Sequence, residues 1–419
     1  MVNDQHNMLG IDFGTSNSAV ATLVDGKVRR LAMEQGSDTL PTAIFFDFAR
    51  DEIHIGTKAN TCLTDGAEGR YMRSLKRVLG TSLMREKRYF MGQHLDFLDI
   101  IAGFLAQLKS RAEAVEGRIF DRVLSGRPVH FHDDPVKDKQ AEIDLRECYT
   151  RAGFNHVEFM FEPEAAALAN NVLDRAKSLG LIVDIGGGTS DFSIFRAIPN
   201  AATPVQFLAT HGERLGGTDF DKTLNVRHFM PLLGKDAPLR RDFGSGTATA
   251  PVSLFNDLAT WEKIPFMYSA DIRRLARDLQ RHALNRAPFK RLLQVLEFEL
   301  GHELSMLAES AKIAANRSLA APSIVDLGLI EKDASIAISH AALNQMMTPH
   351  STKIVDGINK TLSMSRCCAD DITDVVFVGG SSLMEFVNNA STEAFPNATF
   401  HTSAVFTAVV DGLALAAKP

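Results

Sequence analysis

Cysteine is scarce in this chain: Cys62, Cys148, Cys367 and Cys368 are the only four among 419 residues. No two of them form a C-x-x-C pair, and the adjacent Cys367 and Cys368 are poor disulfide partners, so all four are expected to be reduced and mostly to serve packing. A basic surplus is also missing. The 45 Lys and Arg against 51 Asp and Glu leave a formal charge of -6, which argues against a general binder of nucleic acid or anionic membranes while leaving room for a local basic patch. No run of about 18 uncharged apolar residues occurs, and the opening "MVNDQHNMLGIDFG" lacks the charged and then apolar order of a secretory leader. A soluble, cytoplasmic chain with no membrane partner is expected. Hydrophobic residues at 45% and charged residues at 23% leave no low-complexity bias, and the length points to more than one domain or lobe.

Two stretches share one plan. "MLGIDFGTSNSAVATLV" (8–24) and "LIVDIGGGTSDFSIF" (181–195) each place an Asp at the end of an apolar run, then a Gly-containing turn with Thr or Ser, then a second apolar run. Each reads as a β-hairpin, and Asp12 and Asp184 lie 172 positions apart, which suggests a duplicated domain within an α/β architecture. A third Gly pair, Gly379 and Gly380 in "VVFVGGSS", follows another apolar strand.

Glycine lets the main chain approach a ligand closely and adopt positive φ, so successive N–H groups can converge on phosphate oxygens. Gly186, Gly187 and Gly188 suit that task. Asp12 and Asp184 would bring two carboxylates beside the phosphates, where Mg²⁺ takes oxygen ligands, often through retained waters. The competing reading is a pair of tight hairpins with capping Asp residues. No G-x-x-x-x-G-K-[ST] is present, and the Gly turns do not open a helix, so neither a P-loop nor a dinucleotide fingerprint fits.

Two phosphate hairpins in a duplicated α/β protein resemble the actin, hexokinase and heat-shock ATPase superfamily, with its ribonuclease H-like lobes. Within it the chain is similar to the nucleotide-binding domain of the DnaK-type heat-shock chaperones. "GIDFGTSNSAVA" resembles that family's first phosphate motif, "VDIGGGTSDFSIF" its second, "GERLGGTDFDKTL" (212–224) the segment after it, and "VVFVGGSSLM" (375–384) its adenosine motif. "GRPVHF" (126–131) with "AGFNHVEFMFEPEAAAL" (152–168) looks like the YegD-like branch, which lacks the peptide-binding half.

The resemblance implies a fold of two lobes around a nucleotide cleft. The first lobe is expected at 1–177, with 37–121 as its outer subdomain and 404–419 packing back as a helix; the second is expected at 178–403, with 228–317 as an enlarged helical subdomain. It also implies Mg²⁺ with ATP or ADP as cofactors. Gly14, Thr15, Ser16 and Asn17 would hold phosphates, with Asp12 and Asp184 binding the metal through waters. Lys76 would contact the γ-phosphate, Glu162 would accept from the attacking water, Thr189 would lie near the γ-phosphate and Asp191 would support them. Gly216, Gly217, Gly379, Gly380 and Ser381 would approach the nucleotide, and Glu309 and Lys312 would grip the ribose. Taken without the family, Lys76 reads as a solvated surface residue, Glu162 as a helix cap, and Glu309 and Lys312 as an exposed i,i+3 pair. Ile313 and Leu383 stand where the family places arginines against adenine.

Other features stay outside this pattern. Seven Arg and Lys residues (Arg273, Arg274, Arg277, Arg281, Arg286, Lys290 and Arg291) lie between 271 and 291 on a helical pattern, a contact surface or a solvated face. Trp261, Phe266 and Tyr268 just before them are core or contact residues. His130 and His132 in "VHFHDDP", read as a strand end with both rings on one face, tempt towards a metal site with Asp133 and Asp134, but the family has none there. Three functions follow: an ATPase switch acting on an unknown protein partner, a nucleotide sensor without turnover, or a small-molecule kinase.

Overall fold

The computed structural model describes residues 8–169, 179–198, 205–241, 245–402 and 405–417. The lobe boundaries expected at 177/178 and 403/404, and the ends of the chain, lie outside the described residues. Two compact units are present, Met1–Gly217 with Ser351–Pro419, and Thr218–His350.

The first unit contains two sheets with one strand plan. In the first, the order is His156–Phe161, Arg122–Arg127, Met8–Phe13, Asn17–Val24, Lys27–Arg30. In the second it is Thr399–His401, Asp374–Val378, Leu179–Ile185, Ser190–Ala197, Val205–Glu213. Each sheet thus has a central strand with two parallel strands on one side and two antiparallel ones on the other, and the first adds a sixth strand, Thr39–Pro41, antiparallel to Asn17–Val24. The two Asp-Gly stretches are the central hairpins of these sheets. Their leading strands are apolar runs buried on both faces, as parallel pairing under helices requires.

The helices repeat as well. Pro135–Arg151 and Glu385–Ala394 each cross over between the two outer parallel strands of a sheet, and Glu162–Ala169 and Ala408–Ala416 each follow the last of them. The latter two pack against each other so closely that a Cβ on Gly412 would sit 1.7 Å from the Ala165 carbonyl oxygen. Only glycine permits that approach. A smaller sheet, Glu52–Ile55, Ala43–Asp47 and Gly69–Arg73, carries the helix Thr57–Thr64.

The second unit is mainly helical, with Val252–Leu258, Ala270–His282, Ala287–Glu297 and Gly301–Arg317, plus the ribbons Pro238–Arg240/Thr247–Thr249 and Ser323–Asp326/Ser335–Ile338. Trp261 and Tyr268 belong to its core, and Tyr268 is held by donating to the Glu299 carbonyl at 2.8 Å and accepting from the Gly301 N–H at 3.1 Å. Phe266 is partly buried. The basic stretch is not one helix, as its pattern suggested, but two. Ala283 leaves helical geometry, and Pro288 suits the first turn of the second helix because it needs no N–H partner there. Arg274, Arg277, Arg281, Arg286 and Lys290 are exposed.

Candidate functional site

The turns of the two hairpins meet within the first unit. A Cβ on Gly187 would lie 2.3 Å from Ser16 Oγ, and one on Gly188 would lie 2.9 Å from Thr15 Oγ1. Gly216 comes against the same turn, its Cβ position 2.5 Å from the Gly188 nitrogen, while the Gly217 N–H donates to the Gly186 carbonyl at 3.0 Å. The third pair joins them. Gly379, at φ +75°, leaves its Cβ position 2.9 Å from Asp184 Oδ1, and that of Gly217 would meet Ser381 Oγ at 2.4 Å. Gly380 instead abuts the Phe406 ring. Gly14 lies inside the first turn, where a Cβ would strike the Asn17 carbonyl oxygen at 2.2 Å.

These contacts correct one part of the sequence argument. Positive φ accounts for glycine at Gly379 but not at Gly14, Gly186, Gly187, Gly188, Gly216 or Gly217. At Gly187, Gly188, Gly216 and Gly217 the requirement is room, since two turns and a third loop approach more closely than side chains allow.

Beneath the turns sits a buried charge cluster. Lys76 Nζ donates to Glu162 Oε1 at 2.5 Å, with both residues largely buried. Lys76 is placed by the short helix Leu75–Val78, anchored by buried Leu75 and Val78 and entered through Ser74 at φ +60°. A left-handed non-glycine residue stores strain, and here it lies two positions from the lysine. Glu162 opens its helix ahead of Pro163, as a cap would, yet its carboxylate is occupied by a buried ion pair. Lys76 is therefore not a solvated surface residue.

Asp12 faces Ala19 across the first hairpin, and Asp184 faces Asp191 across the second. Like charges directly opposite in a sheet oppose each other. Burial pushes the Asp12 carboxyl up to about 7, with the Glu162 charge adding and Lys76 opposing. Asp184 is raised well above the carboxylate range by burial, then by Glu162, Asp191 and Asp12. Asp191 is pushed up to about 8 by burial and Glu162, although the Val129 N–H at 2.7 Å and Thr189 hydrogen-bond to it. For Lys76, burial works against the ammonium, but Glu162, Asp12 and Asp191 prevail and its pKa is raised. Four carboxylates thus surround one ammonium. Asp184 Oδ2 and Asp191 Oδ2 are buried without a hydrogen-bond partner.

The family model described as Hsp70 protein matches residues 8–240 and 297–418. The chain belongs to the Hsp70 family. Its doubled sheet is the mixed α/β, actin-like ATPase fold of that family, and the unmatched 241–296 holds the two basic helices. Relatives described as "Chaperone protein HscA homolog" are 33% identical over 236 residues in Pseudomonas putida, covering 52% of this chain and 36% of the relative, and 31% identical over 297 residues in Pseudomonas fluorescens, covering 64% and 45%. "Chaperone protein HscA" of Edwardsiella ictaluri is 31% identical over 271 residues, covering 58% and 42%. The chain spans less than half the length of these relatives.

Within this Hsp70 chain the remaining expected residues fall elsewhere. Glu309 and Lys312 belong to the second unit, on Gly301–Arg317. Lys312 is not half of an exposed pair: it is buried and salt-bridged to Asp221 at 2.6 Å, and Trp261 Nε1 donates to the same carboxylate at 3.3 Å. Ile313 and Leu383 are both exposed. The "VHFHDDP" stretch is not a strand, because pairing ends at Arg127. Its histidines accordingly diverge, His130 exposed beside Asp138 and His132 buried, with Nε2 2.6 Å from the Leu79 carbonyl, while Asp134 caps Pro135–Arg151.

Two residues escaped the sequence reading. Arg77 brings its Cγ within 3.2 Å of the Cβ position of Gly188, and Arg214 donates to the Arg77 carbonyl at 2.8 Å and meets the His132 ring. The Lys-Arg doublet in "RSLKRVLG" was the available signal, whereas Arg214 depends on a contact 137 positions away in sequence. No helix among the described residues is long and apolar enough to cross a membrane.

Proposed function

We propose that the chain binds ATP and ADP with Mg²⁺ at the paired hairpin turns and hydrolyses ATP slowly, as a cytoplasmic conformational switch for a protein partner. The observation that carries this reading is the buried Lys76–Glu162 pair among Asp12, Asp184 and Asp191, directly under the glycine turns. The residues fit a hard cation: carboxylates whose ionised forms oppose one another, and two orphaned buried oxygens, need a positive charge that Lys76 alone does not supply. Asp12 and Asp184 would hold Mg²⁺ through waters, and the ion would neutralise phosphate charge when bound.

The chain's own residues then divide the work. Lys76 places a buried ammonium against the charge that spreads over the γ-phosphoryl oxygens. Glu162 and Asp184 accept from the attacking water, and Asp191 orients Thr189 at the second turn. The turns of Gly14, Thr15, Ser16 and Asn17 and of Gly186, Gly187 and Gly188 present backbone to the phosphates, with Gly216, Gly217, Gly379, Gly380 and Ser381 completing the rim. Glu309 and Lys312, expected to grip the ribose, lie in the second unit, where Asp221 steadies Lys312. The YegD-like branch and the 1–177 and 178–403 lobes are part of this proposal.

The exposed aliphatic Ile313 and Leu383 favour a second reading, nucleotide sensing without turnover, because neither stacks on adenine as a guanidinium does. Calorimetry of ATP and ADP binding paired with a phosphate-release assay decides between them. Release above a Glu162→Ala control supports hydrolysis; binding without it supports the sensor; no binding of either nucleotide removes both.

A further inference from the structure

The small sheet of the first unit holds a second group of ligand-forming side chains, unrelated to the hairpin turns. Asp47 ends the strand Ala43–Asp47, His54 comes from its antiparallel neighbour Glu52–Ile55, and Cys62 lies on Thr57–Thr64, the helix packed on that sheet. One Asp oxygen, one imidazole nitrogen and the thiol sulfur all lie within 4.8 Å of one another. We infer that Asp47, His54 and Cys62 form a binding site for a borderline-soft divalent transition metal, of which Zn²⁺ is the expected occupant.

The donor set decides the metal class. One sulfur, one imidazole nitrogen and one carboxylate oxygen match Zn²⁺ or Co²⁺ in a tetrahedral site, whereas Mg²⁺ and Ca²⁺ take oxygen throughout. His54 Nε2 is buried without a hydrogen-bond partner, 3.7 Å from Asp47 Oδ2 and 3.4 Å from Glu52 Oε2. Ligand atoms about 2.0 to 2.3 Å from one tetrahedral centre lie roughly 3.3 to 3.8 Å apart, so the His–Asp spacing already suits a shared ion and the widest spacing needs a shift of about 1 Å. Asp47 is fully buried, and its Oδ1 accepts from the Ala49 and Arg50 N–H groups at 3.1 and 3.0 Å, which fixes the direction of the carboxylate. Glu52 is exposed, with Oε2 3.4 Å from His54 Nε2, and water or this carboxylate would complete the coordination.

Arg50 is the competitor. Its Nη1 donates to Asp47 Oδ2 at 2.7 Å, but its side chain is 65% exposed. Metal binding would exchange a surface contact for three coordinate bonds, releasing the Cys62 proton to solvent and the guanidinium to water.

The test uses the whole purified chain, stripped of metal and without nucleotide, titrated with Co²⁺ and then Zn²⁺. One equivalent of Co²⁺ should give a near-ultraviolet thiolate-to-cobalt charge-transfer band that Zn²⁺ abolishes and that Cys62→Ser lacks. Arg50→Ala, a change at an exposed side chain, should retain the band and tighten Co²⁺ about tenfold by freeing Asp47. Absence of the band in the parent overturns the inference. So does a band surviving in Cys62→Ser, which would assign the sulfur to Cys367 or Cys368, or an unchanged affinity in Arg50→Ala.

Discussion

Replacing Asp184 by Asn separates a carboxylate kept for a cation from one kept for folding. Asp184 is 5% exposed, lies directly across from Asp191, and carries an oxygen without a hydrogen-bond partner. Burial, Glu162, Asp191 and Asp12 all disfavour its ionised form, against Lys76 alone. A near-isosteric exchange at a carboxylate facing solvent would leave folding unchanged, but at this buried position it should stabilise the metal-free protein. A carboxyl whose folded pKa is raised binds its proton more tightly folded than unfolded, so it costs stability as pH rises above its ordinary value. The gain from Asn should grow as pH rises from 4 to 8 and be smallest near pH 4, where Asp184 is neutral when folded and only partly ionised when unfolded. Relieving one buried, imperfectly satisfied group is worth about 1 to 3 kcal/mol, or a few degrees in Tm for a chain of this size. Mg-ATP binding should move the other way, losing about 1.5 to 3 kcal/mol, a ten- to hundredfold rise in Kd. Scanning calorimetry in chelator at pH 4, 6 and 8, with titration of Mg-ATP into both proteins, reads both effects. An Asn variant that melts below the parent in chelator at pH 8 while keeping its Mg-ATP affinity would refute the reasoning, since Asp184 would then be a structural residue.

The parent itself should lose metal-free stability as pH rises from about 4 to about 8, because the Asp12 carboxyl sits near 7 and Asp191 near 8; a Tm that rises steadily over that range contradicts the burial argument. Lys76→Ala leaves Glu162 buried without its cation and should cost about 3 to 5 kcal/mol along with phosphate release; an unchanged Tm would show that the pair is weak. Gly187→Ala pushes a methyl onto Ser16 Oγ and should weaken nucleotide binding at a stability cost of about 1 to 3 kcal/mol, whereas equal affinity for ATP in a titration would show that the contact between turns is irrelevant to binding. Gly412→Ala, with no room before the Ala165 carbonyl, should be the most damaging of these in a melting experiment and should leave a poorly folded chain.

The hairpins and the duplication were legible because they rest on local signals: an apolar run, an Asp, small turn residues and a second apolar run, twice. The matching order of the two sheets follows from them. What the sequence hid lies in contacts between distant segments. Lys76 and Glu162 are 86 positions apart, and a lone lysine beside Arg77 reads as surface until its partner is placed. The i,i+3 spacing of Glu309 and Lys312 reads as an exposed pair for the same reason, the buried partner Asp221 of Lys312 lying on another element. The histidines of "VHFHDDP" show the reverse failure: their alternation reads as a strand, but the parallel ladder stops at Arg127, where the partner strand Phe161 gives way to the helix opened by Glu162.

One consequence joins the two levels. In each hairpin the Asp is the residue most at odds with its surroundings, a charge at the end of an otherwise apolar strand. A local reading accounts for it as a turn cap, yet neither role nor cost fits a cap, since Asp184 leaves an oxygen unsatisfied and raises the repulsion around it. Natural chains tolerate such conflict where a bound charge resolves it. The tight glycine contacts make the same point through shape. Gly187, Gly188 and Gly216 bring three backbone segments together where larger side chains would be excluded, and the chain forgoes the rigidity those side chains would add. A turn that needed only to reverse direction would require neither feature. Both occur together at the second hairpin, and they support the proposed site that grips an anion through a cation.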